Sequence, residues 1–414
     1  MVPSEWRRLD LPARREKEML EGKTVVLGVT GSIAAYKIAN LTSMLTKLHA
    51  DVHVLMTENA TNFINPITFE TLTNHKCLVD TFDRNFNYNI EHVALGTKAD
   101  VVLVAPASAN IIAKMAYGIA DDMLSTTILA CRCKKIVAPA MNTNMYENVV
   151  VQANIQKLRD FGMEVIEPDT GLLACKAVGK GKMPSEEILL EYIKKEIQYE
   201  HDMVGRRVLI TAGATRESLD PVRYLTNHST GKMGYALAAV AARRGAEVTL
   251  VSTVENLPVV PGVRVIPVES ARDMFEAVRS HAEEQDIVIK AAAVADYTPA
   301  VVSDQKIKKQ EGDSALMLVR TTDILAWLGR HKREGQFVCG FSMETENVLE
   351  NSCAKREKKN VDMIVANNLR VEGAGFGTDT NVVTMITKEG AEELPIMTKE
   401  EVAVQIFDKI LKIM

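Results

Sequence analysis

Short apolar runs recur along this chain, and each gives way to a stretch in which apolar positions return every three or four residues. The runs Thr24–Val29, Asp51–Met56, Val101–Ala105, Lys135–Ala138 and Glu164–Ile166 predict strands. Between them the spacing predicts helices, including Ile33–Lys47 and Asn110–Ala116. Apolar strands alternating with helices imply a parallel sheet covered on both faces, the doubly wound α/β arrangement. Glu186–Tyr199 predicts a closing helix, and residues 201–205 a short connector. The pattern then restarts, with strands predicted at Arg207–Thr211, Glu247–Val251, Val263–Pro267, Ile287–Ala291, Phe337–Phe341 and Met363–Ala366. Lys306–Lys309 and Leu316–Arg320 predict a hairpin turning at Gly312-Asp313. Glu400–Ile413 predicts a final amphipathic helix. The expected organisation is an N-terminal extension over 1–20, then two Rossmann-like, doubly wound parallel-sheet domains over 21–200 and 201–414. They share an architecture without a visible sequence repeat.

Composition narrows the class. A length of 414 residues suits two or three domains, and the 47% hydrophobic and 25% charged content is that of a globular protein. Only 5% is aromatic while Ala, Val and Ile abound, as parallel sheets prefer. A net charge of −5 argues against a nucleic-acid binder. Six scattered cysteines read as reduced thiols in a cytoplasmic protein, and Cys131-Arg-Cys133 lacks the second pair a zinc site needs. No apolar run reaches the roughly 18 residues of a membrane span. The N-terminus mixes both charge signs and lacks a signal-peptide core, which predicts a solvated helical extension.

In the first domain, Gly28-Val29-Thr30-Gly31-Ser32 sits where a first strand enters a first helix, so backbone N–H groups can approach a phosphate. The pattern is not G-x-G-x-x-G, which favours one phosphate over a pyrophosphate. Met56-Thr57, Ala105–Asn110 and Ala138–Met145 also fall at strand C-termini, where open α/β sheets bind ligands. Ser108 and Asn110 serve equally well as helix caps. His92 lies at a predicted helix start, and Cys175 in a glycine-bearing segment suited to a mobile lid that delivers a proton.

Taken together, Gly31-Ser32-Ile33-Ala34-Ala35-Tyr36-Lys37, the His92 segment, Pro139-Ala140-Met141-Asn142-x-x-Met145 and the Cys175 segment resemble the flavin-dependent phosphopantothenoylcysteine decarboxylases over about residues 22–190. The resemblance implies a flavodoxin-like domain with FMN bound by Gly31, Ser32, Thr57, Ser108, Asn110, Ser125 and Thr126. It implies oxidation of a substrate cysteine to a thioaldehyde, loss of the adjacent carboxylate as CO2, and return of hydride to the enethiol. His92 would support the oxidation, Asn142 would hold the departing carboxylate, and Cys175 would donate the final proton. Where the family commonly has Gly and Arg in this lid, the chain has Lys176 and Lys182, and Lys182 keeps the charge without the planar fork. A non-catalytic flavin-binding relative would lack the His or the Cys; both are present.

In the second domain, Thr211-Ala212-Gly213 again ends a first strand on glycine, and a long segment over 220–234, rich in Arg, Asn, His, Ser and Lys, precedes the next helix. It suits anion binding but is not a P-loop, because Met233 stands where the magnesium-binding Ser/Thr would be. Asp220-Pro221-Val222-Arg223, Asn227-His228-Ser229-x-Gly231-Lys232-Met233-Gly234, Ala292–Tyr297 and Lys306-Ile307-Lys308-Lys309 together resemble the phosphopantothenate–cysteine ligases, from Thr211 to about residue 387. The resemblance implies activation of 4′-phosphopantothenate by CTP with Mg2+, and displacement of CMP by the amine of cysteine. Asn227 would serve the acyl-cytidylate and Lys306 the activation step. Ala291, Ala292, Asp296, Thr322, Asp323, Ile324, Leu325, Phe341, Lys355 and Lys359 would contact the nucleotide. The family often has Asn-Pro where Thr321-Thr322 stands here, and by spacing alone Lys355 and Lys359 are a charged helix face. The combined resemblance implies a bifunctional coenzyme A biosynthesis enzyme, with trimeric contacts in the decarboxylase, dimeric contacts in the ligase, and a dodecamer where the two combine.

Overall fold

The structure is a computed structural model describing residues 19–82, 91–172, 178–254, 260–308, 315–344, 348–368 and 377–414. The chain divides into two compact units, Met1–Glu200 and His201–Met414. Among the described residues no helix is long and apolar enough to cross a membrane.

The first unit runs β1 (Thr24–Val29), α1 (Ala35–Lys47), β2 (Asp51–Met56), α2 (Pro66–Thr73), α3 (Glu91–Lys98), β3 (Val101–Ala107), α4 (Ala109–Tyr117), α5 (Met123–Ala130) and β4 (Lys134–Pro139). It continues through α6 (Thr143–Tyr146), α7 (Val149–Asp160), β5 (Glu164–Val165), β6 (Asp169–Leu172), β7 (Val178–Lys182) and α8 (Glu186–Ile197). The sheet is parallel throughout in the order β2-β1-β3-β4-β5, the flavodoxin-like order. Alternation along β1 explains the two layers. Val25, Leu27 and Val29 face a core with Ile38 and Leu45 of α1 and Ile193 of α8, while Val26 faces one with Ile112, Leu124 and Ile155. The order reverses between β1 and β3, which opens a crevice at their C-terminal ends. β6 and β7 form a separate antiparallel ribbon.

The second unit runs β8 (Arg207–Ala212), β9 (Arg216–Ser218), β10 (Tyr224–Thr226), α9 (Lys232–Arg243), β11 (Glu247–Ser252), β12 (Val263–Pro267), α10 (Ala271–His281), β13 (Ile287–Lys290), β14 (Tyr297–Pro299) and β15 (Leu318–Arg320). It ends with α11 (Ile324–His331), β16 (Phe337–Glu344), α12 (Val348–Lys359), β17 (Met363–Asn368), β18 (Thr380–Asn381), β19 (Val383–Thr387), β20 (Gly390–Glu393), β21 (Met397–Thr398) and α13 (Lys399–Ile413). Its sheet has the order β12-β11-β8-β13-β16-β17-β19-β20. The six strands from β12 to β17 are parallel, and their order reverses between β8 and β13, as in a Rossmann sheet. β19 and β20 add an antiparallel edge that the alternation of runs and helices does not announce.

One expectation needs correction. β15 pairs antiparallel with β14, not with residues 306–308, which lie in no strand. The reason is local. The Ile307 N–H donates to the Asp220 carboxylate at 3.1 Å, and its carbonyl accepts from the Arg223 guanidinium at 2.9 Å. Both main-chain groups of Ile307, its only N–H among them, are thus engaged by side chains in place of a ladder. Lys309 and the expected turn at Gly312-Asp313 lie outside the described residues.

Candidate active sites

In the first unit a buried threonine stitches the switch point together. The Thr30 hydroxyl donates to the Pro106 carbonyl at 2.6 Å and accepts from the Ser108 N–H at 3.1 Å. Ser108 in turn caps α4, accepting from the Ile111 N–H at 3.4 Å, so a helix N-terminus meets the crevice. Thr57 follows β2, and its N–H donates to the Val29 carbonyl at 3.0 Å, which places it beside the Gly31-Ser32 turn. A Cβ on Gly31 would lie 3.0 Å from Cβ of Asn59, so little more than glycine fits. The Thr57 hydroxyl is buried with no hydrogen-bond partner among the described residues, which costs about 1–3 kcal/mol unless something satisfies it. Ser125 is held by a capping box with Asp122 at the start of α5. That helix is seated on β1, because Leu124 fills the space beside Gly28. Thr126 is half-buried in the same turn, and Asn110 is exposed in the first turn of α4.

Asn142 follows β4 and caps α6, accepting from the Asn144 N–H at 2.9 Å. The β6–β7 ribbon is seated on this turn. The Met141 N–H donates to the Gly181 carbonyl at 3.1 Å, and a Cβ on Gly179 would fall 2.4 Å from the Thr143 hydroxyl. That hydroxyl is a second buried orphan. Cys175 and Lys176, in the segment between the two strands, lie outside the described residues. Lys182 ends β7, exposed. His92 is half-buried in the first turn of α3, which packs on α5 where Gly96 meets Ala130. No hydrogen bond among the described residues joins it to the strand-end group.

In the second unit a cavity of about 270 Å³ lies at the switch point, lined by Asn227, Lys290, Asp296, Phe341, Lys355 and Asn367 among others. Two left-handed glycines shape it. Gly213 has φ +97° and would put a Cβ 2.1 Å from the Thr253 hydroxyl, while a Cβ on Gly231, at φ +78°, would meet the Gly213 main chain at 3.1 Å. Gly234 then draws α9 onto β8, its missing Cβ being 2.5 Å from Cβ of Ala212. Thr211 and Thr215 hydroxyls accept from the N–H groups of Ala292 and Ala295 at 3.1 and 3.0 Å, fixing the small-residue run. The Asn227 amide donates to the Ala293 carbonyl at 3.1 Å. Ala291 and Ala292 line the same cavity.

Other expected contacts lie elsewhere. Lys306 is exposed and outside the cavity lining, on the segment that Asp220 and Arg223 clamp. Asp220 is buried, and the Arg223 guanidinium, aided by the N–H groups of Val222, Ile307 and Arg223, holds its carboxyl well below the usual carboxylate range. Asp323 caps α11 through the Ala326 N–H at 3.0 Å and pairs with Lys359. Burial works against the Asp323 charge, but Lys359 and the cap bring its carboxyl down. Lys359 is therefore committed to Asp323, while Lys355, one turn earlier, lines the cavity. The side chains of Ile324 and Leu325 are buried, and Leu325 fills the space beside Gly340. Only their main chain is left for a ligand, alongside Thr322, which is exposed.

Two cavity residues escape the sequence reading. Lys290 ends the apolar run Ile287-Val288-Ile289, and its ammonium makes no hydrogen bond or ion pair among the described residues. Burial, then the nearby Lys355, lower its pKa to about 8. Asn367 ends another apolar run, and its Oδ1 is buried without a partner among the described residues. The only signal was a polar residue closing a buried strand.

Comparison with known proteins accounts for nearly the whole chain. A family model described as Flavoprotein matches residues 13–198, and one described as DNA/pantothenate metabolism flavoprotein C-terminal domain matches 203–414. The Coenzyme A biosynthesis bifunctional protein CoaBC of Bacillus subtilis (strain 168) is 48% identical over 396 residues, covering 95% of this chain and 97% of that protein. Its counterpart in Escherichia coli (strain K12) is 40% identical over 395 residues, covering 95% and 97%. Among solved structures, a C-terminal domain of CoaBC is 46% identical with a TM-score of 0.44, covering 51% of this chain and 96% of that one. The FMN-dependent cysteine decarboxylase SpaF is 33% identical with a TM-score of 0.36, covering 39% and 91%. The chain belongs to the family of bifunctional coenzyme A biosynthesis proteins, enzymes that join a decarboxylase to a phosphopantothenate ligase.

Proposed function

We propose that the first unit binds FMN at the ends of β2, β1 and β3, and that the second binds CTP with Mg2+ in the cavity between β8 and β13. The chain then couples 4′-phosphopantothenate to cysteine and decarboxylates the product to 4′-phosphopantetheine. One observation supports both halves: at each crevice a buried polar atom has no partner among the described residues, Thr57 Oγ1 in the first and Asn367 Oδ1 in the second. A polar ligand in each crevice would satisfy these atoms.

In the ligase, a carboxylate oxygen of 4′-phosphopantothenate attacks the α-phosphorus of CTP and pyrophosphate leaves. Lys306 supports this step, while Lys290 and Lys355 offset the triphosphate charge beside Mg2+. Asp296, Phe341 and the Ala291-Ala292 main chain hold the nucleoside. The amine of cysteine then attacks the activated acyl carbon, CMP leaves, and Asn227 steadies the acyl group, its amide already oriented by Ala293. In the decarboxylase, Gly31, Ser32, Ser108, Asn110, Ser125 and Thr126 cradle the cofactor phosphate and isoalloxazine, and Thr57 supplies a hydrogen bond. Bound FMN would supply reversible two-electron redox chemistry for the substrate cysteine. Asn142 holds the carboxylate until it departs, His92 aids removal of the first proton, and Cys175 delivers the last.

Exposed apolar side chains favour assembly of this cytoplasmic enzyme as a homo-oligomer. Ile33, Tyr36, Phe63 and Ile67 flank the FMN crevice and suit trimeric contacts; Met317, Val319 and Tyr297 on the β14–β15 ribbon suit a ligase dimer, the pair together giving a dodecamer. Incubation with 4′-phosphopantothenate, cysteine, CTP and Mg2+, followed by mass spectrometry, should yield 4′-phosphopantetheine. Lys306→Gln should abolish CMP release, whereas Cys175→Ser should release CMP normally and stop before the reduced product. Normal 4′-phosphopantetheine from Cys175→Ser would overturn its role as proton donor.

A further inference from the structure

At the opposite end of the first sheet from the FMN crevice, three potential ligands converge. Asp51 and His53 are two apart on the edge strand β2, so alternation puts both side chains on one face. His75 reaches them because α2 ends on Asn74 in the left-handed conformation, φ +58°, which turns the chain back along β2. There the Leu78 N–H donates to the Val54 carbonyl at 3.0 Å, and the His75 N–H donates to the Thr73 hydroxyl at 3.1 Å. The two imidazoles stack with centroids 4.2 Å apart and planes 18° from parallel. Each Nε2 faces a different oxygen of one carboxylate, His53 at 3.2 Å from Oδ2 and His75 at 2.7 Å from Oδ1. The ligand atoms of all three residues lie within 4.8 Å of one another.

We propose that Asp51, His53 and His75 form a binding site for a divalent transition-metal ion of the zinc class. Two imidazoles and a carboxylate suit such an ion, with water from the open side as a fourth ligand. A tetrahedral zinc shell spaces its ligand atoms by about 3.3 Å, which small side-chain rotations reach from the present positions. The site is partly accessible, with His75 39% and Asp51 28% exposed. β2 rises about 3.3 Å per residue, so the ion sits roughly 16 Å from the FMN crevice and takes no part in the chemistry there. It binds the edge strand to the segment after α2.

A competitor is built in. Lys98, the last residue of α3, already pairs with the Asp51 carboxylate. An ion and the ammonium contend for the same oxygens, so removing Lys98 should tighten metal binding. Zinc titrated into the chelator-treated, flavin-loaded protein, followed by calorimetry, is expected to show one ion per chain. X-ray absorption is expected to show nitrogen and oxygen ligands near 2.0 Å without sulfur near 2.3 Å. His53→Gln and His75→Gln should each weaken binding about tenfold or more, while Lys98→Gln strengthens it severalfold. Circular dichroism of each variant separates lost ligands from lost folding. The proposal is overturned if the wild-type chain takes up no zinc, if sulfur ligands reveal the cysteines as the binders, or if folded His53→Gln and His75→Gln chains bind as the wild type does. In those cases the three side chains are a hydrogen-bonded cluster alone.

Discussion

Lys290 closes an apolar strand with an ammonium that, among the described residues, has no counter-charge bonded to it, inside the cavity of the second unit. Burial lowers its pKa to about 8, so it is charged below that pH and neutral above it. An anionic ligand binds the charged form, and nucleotide affinity should therefore fall as pH rises through about 8. Lys290→Met should raise KM for CTP roughly tenfold or more, as expected for a lost charge-assisted hydrogen bond. It should also flatten the alkaline limb of the KM profile, which steady-state CMP release at a series of pH values would reveal. An unchanged alkaline limb in the variant would assign that titration to another group. Asp296, Phe341 and Lys355, which line the cavity, are reached through the family resemblance, since by spacing alone Lys355 is a charged helix face. Lys290 and Asn367 were not legible in the sequence, since a polar residue at the end of a strand usually meets water. His53 and His75 were silent for another reason: their partnership exists only after α2 has turned the chain.

Elements show where local pattern suffices. β1, β2 and β12 run as their apolar runs predict, because each is a continuous run bounded by helical spacing in a parallel sheet. The ribbon β14–β15 is different, since its pairing depends on what Ile307 does with its main-chain groups, and that is decided by Asp220 far away in sequence. β19 and β20 were missed because a short antiparallel edge carries no helix to mark it. The Asp220–Arg223 clamp also sets the place of Lys306. Asp220→Asn keeps an acceptor for Val222 and Arg223 but loses the ion pair, so the segment should loosen. CMP release is expected to slow by roughly tenfold or more, as misplacement of a catalytic group does. Decarboxylation of supplied 4′-phosphopantothenoylcysteine should proceed at the wild-type rate, and a loss of both activities would show that the clamp supports more than the ligase loop.

At the scale of the molecule, each unit has its own sheet and its own buried core, Leu27 with Ile38 in one and Leu209 with Leu328 in the other. Calorimetry should resolve two unfolding transitions. Excess FMN should raise one and CTP with Mg2+ the other, each by about 2.7 kcal/mol at a ligand concentration 100 times its dissociation constant. A single transition moved by both ligands would mean the units unfold together. The antiparallel margin of the second sheet bears on how copies meet. All four residues of β20 are exposed, and its Glu392 and Glu393 lie along the free edge, with Lys409 3.4 Å from Glu392. Another copy that tried to extend the sheet there would set glutamates against glutamates. The charge along β20 thus discourages strand-to-strand pairing of copies at that edge.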